Sequence, residues 1–60
     1  MSTIRIWTKE NRFFIFENAV LNREYTSEYE VYKVRDGSTQ VVGIFPKINV
    51  IGIEILEEKI

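Results

Sequence analysis

Cysteine and histidine are both missing from the sixty residues, and proline and tryptophan occur once each. Without cysteine no disulfide can brace the fold, and nothing marks an oxidising compartment. Without either residue the soft metal-ligand set is empty, which excludes a structural zinc site. Ser-His and Cys-His nucleophile pairs are excluded with it. Glycine is sparse too: Gly37, Gly43 and Gly52 stand too far apart for a phosphate-binding loop. No cofactor motif and no metal-ligand cluster appear. No apolar run approaches the eighteen or so residues of a membrane span. The first residues, Met1 to Arg5, lead into no signal-peptide core, so the cytoplasm is the expected compartment. Charge of one sign is also lacking. Eight cations against nine carboxylates leave a net −1 and no bulk attraction to nucleic acid or to anionic membrane.

What is present is β-branched and aromatic. Nine Ile, six Val, four Phe, three Tyr and one Trp stand against two Leu and a single Ala. That weighting favours strands over helices. Sixty residues make one domain, 1–60, with a marginal core. With disulfides and zinc excluded, such a core depends on very good packing or on a second chain.

The most informative stretch runs from Tyr29 to Pro46, where two apolar runs flank Asp36-Gly37. Asp-Gly between strand-forming residues is the strongest short-range hairpin signal. A two-residue loop pairs Val34 with Thr39 and Tyr32 with Val41; a four-residue loop pairs Val34 with Val41. Either choice leaves the same side chains on the same face. Tyr29, Val31 and Lys33 share one face, and Glu30, Tyr32 and Val34 share the other.

Along the chain, Thr3 to Thr8 alternates cleanly and reads as the first strand. Lys9 to Asn11 is a polar turn. Arg12 to Asn18 reads as the second strand, apolar on both faces through Phe13, Phe14, Ile15 and Phe16. A hairpin closed around Lys9 to Arg12 sets Trp7 opposite Phe14 and Ile6 opposite Ile15, giving an aromatic face of Trp7, Phe14 and Phe16. Ala19 to Leu21 either extends that strand or begins a bend, and Asn22 to Glu24 is a break. The third strand is read from Tyr25 to Arg35, with Thr26-Ser27 as a bulge candidate. The fourth runs from Gln40 to Phe45. Gly43 marks a kink or a close approach there. Pro46 stops that strand, and Pro46 to Asn49 holds one turn of 3₁₀ type. The fifth strand is Val50 to Leu56, with Gly52 allowing it to curl, and Glu57 to Ile60 form a frayed polar tail.

Five antiparallel strands with short turns predict an all-β fold. The expected form is a partly open barrel, or a strongly curved sheet, of SH3-like or Sm-like size, because closure hides exposed edges. The alternative is an open sheet whose second face is covered by another copy. The strand rhythm from Tyr29 to Leu56 is similar to that of Sm-type RNA-binding barrels, with no RNA-pocket residues to carry over.

No catalytic constellation emerges. Glu28 and Glu30 share a strand, but exposed carboxylates are ordinary surface, and a single small chain has little room for a substrate cavity. The expected role is therefore a non-enzymatic binding module. In that role it acts as a homo-oligomer, as a stoichiometric regulator or inhibitor of a protein partner, or as a holder of a small anionic ligand. The alternative is a β-barrel that binds single-stranded RNA or DNA. Candidate binding residues are the cation–aromatic neighbours Arg5, Trp7 and Arg12 on the first hairpin, and Tyr32, Lys33 and Arg35 on the central one.

Overall fold

The computed structural model describes residues 2–57, so the Glu58 to Ile60 part of the expected tail lies outside the described residues. Strand β1 (Ser2–Thr8) is followed by a 3₁₀ turn and β2 (Arg12–Phe16), and β3 (Val20–Asn22) follows a bend. The central hairpin is β4 (Glu28–Arg35) and β5 (Ser38–Pro46). A second 3₁₀ turn at Lys47–Asn49 leads into β6 (Val50–Glu57). The strands form two three-stranded antiparallel sheets, ordered β2-β1-β6 and β3-β4-β5. The expected all-β class holds. The five-stranded, partly open barrel does not: among the described residues there are six strands, in two sheets that do not close on each other.

The extra strand comes from a break at Asn18, whose φ of 54° lies in the left-handed region. An extended strand cannot continue through that angle, and asparagine is among the few residues that adopt it readily. The chain therefore leaves the first sheet after Phe16 and joins the second at Val20, pairing Val20 with Tyr32. Ala19, in the bend, donates its N–H to the Ser2 carbonyl at 3.0 Å, which ties the crossing to β1. Residues 25 to 27 form a bend rather than the start of a strand, so the Thr26-Ser27 bulge does not exist. Asn22 caps this loop by accepting the Glu24 N–H at 2.9 Å.

The central hairpin closes on two residues, with Arg35 paired to Ser38, Val34 to Thr39 and Tyr32 to Val41. Asp36 (φ 51°) and Gly37 (φ 77°) are both left-handed, as a type I′ turn requires. Between Val31 and Tyr32 the register shifts, leaving Val42 as the extra residue of a β-bulge beside Gly43.

The two sheets pack over a small core of Ile4, Ile6, Ala19, Val31 and Phe45. Phe14 and Phe16 reach across from β2 to Phe45 in edge-to-face contacts, at ring-centroid distances of 5.1 and 5.9 Å. Lys47 fastens the second 3₁₀ turn. Its N–H donates to the Ser27 carbonyl at 2.9 Å, and its ammonium lies 5.1 Å from the centre of the Tyr29 ring.

The close approach at Gly43 is real. A methyl group there would come within 2.9 Å of the Phe45 ring and 3.0 Å of the Phe16 ring. Gly43→Ala is expected to cost about 1–3 kcal/mol, the range of overpacking, because the Phe16 ring is half-buried and can give way but the closer Phe45 ring belongs to the core. At Gly52 the nearest atom is 3.7 Å away, on the Trp7 indole, so Gly52→Ala should be neutral or stabilising. Urea melts of both variants beside the parent check the pair.

Candidate functional site

The site begins with the register of the first hairpin. Thr8 pairs with Arg12 across a three-residue loop in which Glu10 (φ 70°) and Asn11 (φ 59°) are left-handed. Trp7 consequently faces Phe13, Arg5 faces Ile15 and Ile6 faces Phe14. This is one residue away from the expected pairing of Trp7 with Phe14, and an odd slip exchanges the faces of a strand. The expected aromatic face of Trp7, Phe14 and Phe16 is thereby corrected. Phe14 and Phe16 turn inward with Ile4 and Ile6, while Trp7 and Phe13 lie together on the outer face.

On that outer face Trp7 is 37% exposed and Phe13 49%, with ring centroids 5.1 Å apart and planes inclined by 34°. The β1–β6 register completes the surface by setting Gly52 beside Trp7, Glu54 beside Arg5 and Leu56 beside Thr3. Rows across the sheet therefore read Phe13–Trp7–Gly52 and Ile15–Arg5–Glu54. Gly52 offers no side chain, so the indole lies over its backbone. Ile15 and Leu56 are exposed alongside.

In the middle row the Arg5 guanidinium donates to the Glu54 carboxylate at 2.9 Å. Both side chains remain partly open to water, so the pair contributes at most about 1 kcal/mol to folding. Its value is positional. One cation and one anion are held at fixed places inside an apolar surround.

The six candidate residues do not form one site. Arg5 and Trp7 share the outer face just described. Arg12 pairs with Thr8, on the inward parity of β2, and lines a groove between the sheets with Phe14 and Phe16. Tyr32 belongs to the outer face of the other sheet, between Val20 and Val41. Lys33 and Arg35 take the opposite parity and line a cavity of about 400 Å³ with Ser2, Asn18 and Val34. Tyr32 is thus on the opposite face of β4 from Lys33 and Arg35, and these three candidates do not form one surface.

Phe13, Ile15, Glu54 and Leu56 are the site residues that pattern reading missed. The available signal was Asn11, which tolerates left-handed angles and so permits a loop of odd length. Among the described residues no group of His, Cys, Asp and Glu side chains is placed to hold a metal, and no helix is long and apolar enough to cross a membrane. Comparison of the chain with protein-family models, with curated proteins and with solved structures finds no match.

Proposed function

We propose that this chain is a non-enzymatic protein-binding module that self-associates through the outer face of the β2-β1-β6 sheet. The observation that carries this reading is the exposed Trp7–Phe13 stack with Ile15 and Leu56 around the Arg5–Glu54 pair. Contiguous exposed apolar surface of this kind is characteristic of an interface, and aromatic residues with arginine dominate interface energetics. A second copy is the favoured occupant because the face carries both signs of charge side by side. Under a two-fold axis Arg5 of one copy meets Glu54 of the other, and the surface is complementary to itself.

The face is three strands wide, about 14 Å, and seven residues long, about 23 Å. That is small against the roughly 800 Å² per partner of a standard interface, which places the self-association in the transient, micromolar class. Such an assembly in the cytoplasm, exchanging its own copy for another protein, fits a stoichiometric regulator or inhibitor.

Trp7 is the only tryptophan, and it sits in the interface, so intrinsic fluorescence reports directly on the proposal. Emission should move to the blue, and iodide quenching should weaken, as concentration rises through the micromolar range. An indole that remains exposed at every concentration rejects self-association through this face.

The second reading, single-stranded nucleic acid on the same aromatics, draws on Trp7 and Phe13 as stacking surfaces near Arg5. Titration with RNA and DNA at two salt concentrations separates the readings. Submicromolar affinity falling steeply with salt favours nucleic acid, because counterion release produces that slope.

A further inference from the structure

Among the described residues each three-stranded sheet has two open edges, and one edge strand from each lines a common groove. Strand β2 is paired only with β1, and β5 only with β4. Between them lies a groove of about 640 Å³. Its floor is apolar, made by the rings of Phe14, Phe16 and Phe45, and its β5 wall runs from Val42 to Pro46. Arg12 and Lys9 stand at one end, with Glu10 beside them.

We propose that this groove binds an extended segment of a partner protein by strand addition to β5. Three features argue for a strand rather than a compact ligand. First, the groove is bordered by the open edges of two strands, and the outward N–H and C=O groups of a strand edge are best met by another extended backbone. Second, β5 is unusual for an edge. From Ser38 to Pro46 it carries no charged side chain, although charge is the commonest protection of an exposed edge. Its remaining protections are the bulge at Val42 and the proline at its end. Third, the phenylalanine floor suits the alternate side chains of a strand, which point one way at every second residue. The partner segment therefore carries apolar residues at alternate positions. Where it passes Arg12 and Lys9 an acidic residue fits best.

The groove lies on the inward side of β2, away from the Trp7–Phe13 face, so this binding does not depend on the proposed self-association. A direct test titrates an acetylated heptapeptide of alternating threonine and valine, closed by aspartate, into the ¹⁵N-labelled chain. A second peptide has the same side chains but N-methyl groups on alternate backbone nitrogens. The first should shift and protect amides from Val42 to Phe45 and from Phe14 to Phe16. N-methylation should weaken it by about tenfold or more, since the added strand then loses its backbone donors. Equal binding of both peptides would show an apolar pocket without strand addition and overturn the proposal. So would shifts confined to Arg5, Trp7 and Phe13, or none at millimolar peptide.

Discussion

Ile6→Ala is expected to remove about 2–5 kcal/mol of stability, the range for truncating a fully buried isoleucine. A fold this small with no cysteine to cross-link it starts near 5 kcal/mol or below, so most molecules should be unfolded or close to it. The site leaves little room for relaxation. Ile6 has no solvent exposure and lies in the central strand of its sheet, paired with Phe14 on one side and Ile53 on the other. Only five apolar residues are buried among those described, so each holds a large share of the core. The matched control is Ile55→Ala, whose side chain shares the inward parity but is partly exposed at the edge strand. That change should cost about 1 kcal/mol, because much of the side chain is already in water. Urea melts of the two variants beside the parent decide it. Equal losses would mean that the core is not centred on β1.

Gly37→Val is expected to lose about 1–3 kcal/mol, the scale of a strained backbone position. The cause is purely conformational. No atom lies within 4 Å of where the new Cβ would go, so crowding contributes nothing. The cost arises because Gly37 sits at φ 77°, where a β-branched residue is a genuine outlier. Gly37→Asn should recover much of the loss, since asparagine tolerates the left-handed region. Gly52→Val should be milder than Gly37→Val, because that glycine has ordinary clearance and lies within a strand. Thermal melts give the order. A parent-like Gly37→Val beside a collapsed Gly52→Val would place the turn elsewhere.

These predictions differ in how far the sequence alone supports them. The Asp36-Gly37 turn and its two-residue loop were legible because that dipeptide has one favoured backbone solution. The 3₁₀ turn after Pro46 was legible from the proline, and the tight approach at Gly43 from a glycine inside an apolar strand. That Ile4 and Ile6 share one side of β1 followed from clean alternation, but alternation did not mark that side as the buried one. The first hairpin was not legible in the same way. Phe13 to Phe16 are apolar at every position, so neither face is marked and a one-residue slip changes nothing in the pattern. Loop length decided the register, through two left-handed residues of which only Asn11 is a usual one. The break at Asn18 was hidden similarly, because apolar residues resume at Ala19 as though the strand continued.

The candidate site depends on that register. Had Trp7 paired with Phe14, then Trp7, Phe14 and Phe16 would share one face with Arg5, and Phe13 and Ile15 would lie with Ile4 and Ile6 on the other. With the observed pairing the aromatics divide. Phe14, Phe16 and Phe45 join the two sheets, while Trp7 and Phe13 remain outside. Arg12 and Lys33 are drawn inward to grooves by the same parity rule, which is why the six candidate residues scatter over four surfaces.

The most direct measurement of the central claim is the mass of the chain in solution, by light scattering after size exclusion, from a few micromolar to a few hundred micromolar. It is made on the parent and on Ile15→Lys, which places a charge in the outer face without touching the buried core. The parent should rise from one chain mass toward two across that range. Ile15→Lys should remain at one chain mass, with the circular dichroism of the parent. A well-folded parent that stays at a single chain mass throughout would contradict self-association through the Trp7–Phe13 face.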